Sequence, residues 1–138
     1  MIRRISPDLG FIAPSAMDRA GASQLVVAGG QVHWSGIVAA RTTDDGMEIA
    51  ASDLAGQLQF ILAVLDRCLL EAGSDRTRIV AVTMFTTDLS ALSASLGMWR
   101  EWVGEHRPTL TTIGVAQLAR PQLLLELQGM ALAGAGSR

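Results

Sequence analysis

Two stretches near the end of the chain carry side chains that could do chemistry. In L-L-L-E-L-Q-G-M-A-L, residues 123–132, strand alternation puts Leu123, Leu125 and Leu127 on one face. Leu124, Glu126, Gln128 and Met130 share the other. Glu126 is thus a lone carboxylate in an apolar strand, where burial favours the neutral acid and can bring it into the range of a general acid or base. A structural reading stands beside it: Glu126 pairs with an arginine of its own or a neighbouring chain, Arg107 and Arg120 being the candidates. The second stretch is R-P-T-L-T-T-I-G-V-A-Q-L, residues 107–118, where Pro108 opens a strand whose central position is Leu110, with Thr112 on the same face.

Other groups read more plainly as structure. His33 in Q-V-H-W is expected to be packed or hydrogen-bonded, and His106 to lie exposed in a polar loop. Trp99 and Trp102, three apart on a helical pattern, are expected in packing contacts. Cys68 falls in an apolar helix, where a small buried thiol is expected, and a single cysteine forms no disulfide within the chain. Gly29 and Gly30 lack the G-x-x-x-x-G-K context of a phosphate loop. No metal-binding pattern or cofactor motif stands out.

These groups must be positioned by one domain, since 138 residues with 49% hydrophobic content suffice for one core. The expected domain spans residues 1–138, with 134–138 as a flexible tail. A net charge of −2 and 11 scattered basic residues, all arginine, offer no stripe for a phosphate backbone, so nucleic acid is not an expected partner. The start M-I-R-R-I-S-P has no signal-like apolar run, and no segment reaches membrane-span length; a soluble protein of the reducing cytoplasm is expected. Mean hydropathy of +0.33 leaves apolar surface for another subunit to cover.

Residues 25–40 read as two short strands separated by Gly29 and Gly30, and R-T-T-D-D-G, 41–46, as a polar loop. From Asp53, Leu54, Leu58, Leu62, Leu65 and Leu69 form a helical stripe, capped by Ser52 or Asp53 and stopped by Gly73. Residues 78–87 are apolar on both faces, as in a central strand. A second helix runs from about Ser90 to Val103, stopped by Gly104. With a weak first strand at 2–5, the order is β-β-β-α-β-α-β-β: an α+β fold, a mixed sheet with two helices on one face.

Several motifs in this order resemble the RidA (YjgF) family. They are I-A-P-S, A-G-G-Q where the family usually has S-G-Q, D-L-A-G-Q-L-Q-F-I-L-A-V-L, E-A-G-S, V-T-M-F-T-T-D-L, R-P-T-L-T-T-I-G-V-A-Q-L and L-E-L-Q-G-M-A. The resemblance implies a chorismate-mutase-like fold, a homotrimer, and a cleft between subunits in which reactive enamines and imines are hydrolysed to ketones and ammonia. It assigns substrate contacts to Ser15, Gly30, Gln31, Leu96, Trp99, Leu110, Thr112 and Gln128, and handling of the attacking water to Glu126. In the deaminating members an arginine stands at the Leu110 position and grips the substrate carboxylate with two parallel hydrogen bonds, which leucine cannot make. The family tyrosine corresponds to Ser15 and the asparagine to Leu96, and the chain contains neither tyrosine nor asparagine.

Three functions compete on this reading. The first is an imine or enamine hydrolase, needing no cofactor, for a small metabolite without an α-carboxylate, with Glu126 as acid and base. The second is a trimer that binds or senses a small apolar ligand without turnover; the third, an endoribonuclease, is disfavoured by the charge balance. Arg107, just before Pro108, could also swing toward the cleft in place of the missing arginine.

Overall fold

The computed structural model describes residues 1–43 and 45–134. Six strands form one sheet: β1 (Ile2–Ile5), β2 (Leu25–Ala28), β3 (Gln31–Val38), β6 (Ile79–Thr86), β7 (Thr109–Gly114) and β8 (Leu125–Leu132). Their spatial order is β1-β2-β3-β8-β6-β7. Only β6 and β7 run parallel; the other neighbours are antiparallel. A separate hairpin is made of β4 (Ala40–Thr43) and β5 (Gly46–Ile49), and three helices complete the fold: α1 (Pro14–Ala20), α2 (Leu54–Glu71) and α3 (Leu89–Val103). The expected mixed α+β sheet is present, in the expected order.

Helix α2 lies against β3 and β8, α3 lies against β7, and the two helices pack on each other. The buried side of α2 is the stripe Leu54, Leu58, Ile61, Leu62, Leu65 and Leu69. Beneath it lie Val32, Trp34 and Ile37 of β3, Val82 and Met84 of β6, and Leu125 and Leu127 of β8. Asp53 caps α2 by accepting from the Gly56 N–H at 2.8 Å, and Gly73 ends it with φ +74. Cys68 is fully buried on this helix, and desolvation pushes its thiol up to about 12, so it carries no nucleophilic thiolate near neutral pH.

Two elements differ from the sequence reading. Residues 41–46 are not a polar loop: Arg41, Thr42 and Thr43 pair with Glu48, Met47 and Gly46 in the hairpin. The β-branched threonines favour pairing over the polarity of the segment. Helix α1, just seven residues long, is too short for a periodic stripe; its marks are Pro14 at its first turn and Gly21 at φ +70 after its end. The last strand begins at Leu125 rather than 123, and the expected tail lies, apart from Gly134, outside the described residues.

Gln57 ties these parts together. It is fully buried; its amide nitrogen donates to the carbonyls of Ala51 (3.1 Å) and Gln122 (2.8 Å), and its oxygen accepts from the Leu124 N–H (2.8 Å). One side chain thus fixes the entry to α2 against the entry to β8. Gln57→Met keeps the volume but removes all three hydrogen bonds, so denaturant unfolding should show a loss of about 3 kcal/mol, roughly 1 kcal/mol for each bond lost.

Candidate functional site

Glu126 sits on β8, the strand between β3 and β6, with Val38 and Phe85 as its cross-strand neighbours. Leu125 and Leu127 are fully buried on the helix side, so Glu126 projects from the opposite, open face. The side chain is half-buried there, lying over Gly36 of β3: a methyl group at Gly36 would stand 2.5 Å from Oε2 and 2.6 Å from Cδ. Among the described residues no hydrogen bond or ion pair reaches the carboxylate. Arg107 instead donates from Nε to the Gly104 carbonyl at 3.2 Å, and Arg120 from Nη1 to the Ala119 carbonyl at 3.2 Å. The two arginines offered by the sequence as partners therefore do not pair with Glu126 within the chain. Desolvation, with no cation to counter it, raises the Glu126 acid above the 4.5 usual for glutamate.

A second group gathers where α3 meets β7. Leu96, Trp99 and Val103 of the helix face Pro108 and Leu110 across a pocket of about 270 Å³, with Arg100 and Arg107 also in its lining. Four expected contacts, Leu96, Trp99, Arg107 and Leu110, are thus together. Leu110 is opposite the buried Val82, which places it on the helix side of the sheet, and Thr112, opposite Met84, shares that side without lining the pocket. Trp99 is also a packing residue: its ring stacks on Trp102 at 5.5 Å between centroids. Trp102 in turn donates to Asp66 at 3.3 Å and lies 4.5 Å from the Arg76 guanidinium.

Glu126 and Gln128 lie on the face opposite to Leu110, so one chain alone does not put the carboxylate into the apolar pocket. Gln128, opposite Thr83, is exposed. Gly30 and Gln31 stand at the β2–β3 turn, and Gln31 pairs with Leu132. That is six residues along β8 from Glu126, roughly 20 Å at about 3.3 Å per residue. The structure does not bring this pair to Glu126. A Ser-Gly pair occurs five residues further on, Ser35–Gly36, and it is this glycine that faces the carboxylate. Gly36 was missed as a site residue, although a glycine inside a strand pattern is a signal for a bulge or a close approach. Ser15 is the second residue of α1, exposed and engaged within the chain. His33 is exposed, its Nε2 3.2 Å from Gln31 Oε1.

Among the described residues no three His, Cys, Asp or Glu side chains cluster as metal ligands, and no helix is long and apolar enough to cross a membrane. The chain matches the model of the family described as Endoribonuclease L-PSP over residues 14–133. A RutC family protein of Pyrococcus abyssi is 26% identical over 84 residues, covering 61% of this chain and 65%, less than two thirds, of that relative's length. Among solved structures, a Neisseria meningitidis member of the YjgF protein family is 25% identical with a TM-score of 0.74, covering 96% of this chain and 95% of that one. A Mycobacterium tuberculosis member of the YjgF/YER057c/UK114 family is 21% identical at TM-score 0.80, covering 96% and 100%. The Rid family protein YyfA of Yersinia pestis is 23% identical at TM-score 0.80, again covering 96% and 100%. The last two likenesses show a shared fold. The match over residues 14–133 takes in both the strand that carries Glu126 and the α3–β7 pocket, and the chain belongs to this family, the YjgF/RidA family.

Proposed function

We propose that this protein hydrolyses small imines or enamines to carbonyl compounds and ammonia, and that its substrates carry no α-carboxylate. The observation that carries this reading is Glu126: a half-buried carboxylate, unpartnered among the described residues, whose acid form burial stabilises. A carboxyl group whose acid form is favoured in this way can both give and take a proton during a reaction. The neutral acid protonates the imine nitrogen, or the β-carbon of an enamine, and leaves an electrophilic iminium carbon. The resulting carboxylate takes a proton from the water that attacks this carbon. Returned to the amine nitrogen, that proton lets the C–N bond break as the hydroxyl oxygen closes to a carbonyl and gives its own proton to the carboxylate, which restores the acid. The balance is an imine plus water giving a carbonyl compound plus ammonia.

Leu110 supports the substrate class, because leucine offers a carboxylate no hydrogen bond; of the two arginines at the mainly apolar pocket, Arg100 and Arg107, the second spends its Nε on the Gly104 carbonyl. The reading also takes the cleft to be completed by a second copy, in a homotrimer. In support, β7 is a sheet edge exposed along its whole length and without a charge, whereas the β1 edge carries Arg3 and Arg4. Charged edges resist further pairing and bare ones invite it. A binding protein without turnover is the second reading, favoured by the predominance of apolar walls in the pocket. Ribonuclease action has the family description behind it, but a net charge of −2 and no lysine speak against an RNA groove.

Imines generated in solution from simple amines should release ammonia faster with the protein than without, and Glu126→Gln should lower kcat/KM by at least about a hundredfold. If ammonia release is unaccelerated while such compounds still bind, the binding reading replaces the enzyme. The rate of the protonation step should fall as pH rises through the Glu126 value, because the acid form is then lost. Leu110→Arg should raise kcat/KM for α-imino acids roughly tenfold or more, the worth of a charge-assisted contact.

Stability should follow the same titration. The fold disfavours the charged carboxylate, so the contribution of Glu126 is fully present below the ordinary value of 4.5 and is lost as pH rises through the raised value in the fold. Urea unfolding across that window should therefore fall more steeply with pH for the wild type than for Glu126→Gln. Parallel curves would show that Glu126 titrates alike in the folded and unfolded chain.

A further inference from the structure

The β3–β8 register breaks opposite Glu126's own neighbourhood. Trp34 pairs with Gly129 and Ile37 with Leu127, so Ser35 and Gly36 together stand opposite Gln128 alone. This is a β-bulge, one extra residue in β3, a device that re-aims side chains. It is firmly held: the Ser35 hydroxyl donates to the Ser23 carbonyl at 2.6 Å, and the Ser35 N–H to the Gln24 carbonyl at 2.8 Å. The buried Gln24 amide donates to the Ser35 carbonyl at 3.0 Å. Trp34 and Ile37 on either side are buried toward the helices.

Gly36 is not a glycine for the sake of its backbone, since its φ is outside the positive range that excludes other residues. What a side chain at 36 would meet is Glu126: Oε2 at 2.5 Å, Cδ at 2.6 Å and Cγ at 2.8 Å from its first carbon. We infer that Gly36 is a positioning residue, whose missing side chain lets the Glu126 carboxyl lie down against the bulged main chain of β3. The inference rests on Glu126 being the acid–base group of the proposed reaction. With any larger residue at 36, the carboxyl must stand away from the strand into water. Lying down, it is shielded on one side, and shielding is what raises its pKa. Among the described residues no charged neighbour competes for that control: Gly36, Val38, Phe85 and Gln128 do not titrate. The nearest titratable group facing this way from β3 is His33, opposite Met130, and β6 carries none on its length.

The test is a double-mutant cycle joined to a titration, both independent of turnover, so that loss of the proposed reaction and loss of this inference are read separately. The stability change on Gly36→Ala should differ between the wild-type and Glu126→Ala backgrounds, because the side chain it displaces, the flexible end of Glu126, is absent from the second. Should Gly36→Ala alone fail to fold, Glu126→Ala should restore folding. In the folded Gly36→Ala protein, the carboxyl ¹³C signal of Glu126 should titrate closer to the ordinary 4.5, and the alkaline limb of kcat should shift to lower pH with KM little changed. An equal destabilisation in both backgrounds, no rescue of folding, or an unmoved titration in the folded variant would overturn the assignment.

Discussion

Strand alternation on β8 fixes where the chemistry can be. Leu125 and Leu127 are fully buried beneath the helices, and the residue between them must face the other way. A slip of one residue would expose both leucines, at roughly 2 kcal/mol each, and drive the Glu126 charge into the core at a cost of several kcal/mol more. The register is reinforced at the strand's entry, where Leu124 donates to Gln57 and its carbonyl accepts the Thr86 hydroxyl at 2.7 Å. Because β8 lies between β3 and β6, its backbone is paired on both sides. The strand is rigid, and the surroundings of Glu126 are decided by its neighbours: Gly36 at the bulge, Val38 and Phe85.

Covering a sheet on one side has a second consequence. The helix side is closed by α2 and α3, and its α3–β7 border leaves the pocket that contains Leu110. The open side carries Glu126. Parity in the two strands puts these residues on opposite faces, and no rotamer change moves a side chain through a hydrogen-bonded sheet. On the reading proposed above, the carboxylate of one copy must therefore meet the β7 border of another, and the uncharged β7 edge is the surface by which copies approach.

Much of this was legible in the sequence where a period repeats often enough. The stripe of α2, the Asp53 cap, the two-sided apolar pattern of β6 and the Gly29–Gly30 turn all follow from local rules. Helix α1 and the β4–β5 hairpin were not legible, because seven helical residues or four strand residues give too few repeats to outweigh a polar composition. The site was half legible. Leu96, Trp99 and Leu110, named by resemblance, and Arg107, named by its place before Pro108, line one pocket, whereas the face of Leu110 relative to Glu126 was not legible, since the parallel β6–β7 register that sets it is a long-range property. The glycine motif was matched to Gly30 and Gln31 alone, and Ser35–Gly36 was passed over. Only the bulge, a break in pairing between distant segments, shows that Gly36 and not Gly30 meets the carboxylate.

Leu110 then has a physical meaning in company with Glu126. An arginine that binds a substrate carboxylate also brings a permanent positive charge to the cleft, and any carboxylate near it is held ionised. A neutral imine needs no such cation, and its nitrogen needs a proton that an ionised glutamate cannot supply. On the proposed reading, replacing the guanidinium by leucine and shielding the carboxyl over Gly36 act in the same direction. The first removes one of the charges that would lower the acid's pKa, from a pocket that Arg100 and Arg107 still line, and the second removes the water that would do the same. The two features are then one adaptation, from a site that grips an anion to one that delivers a proton.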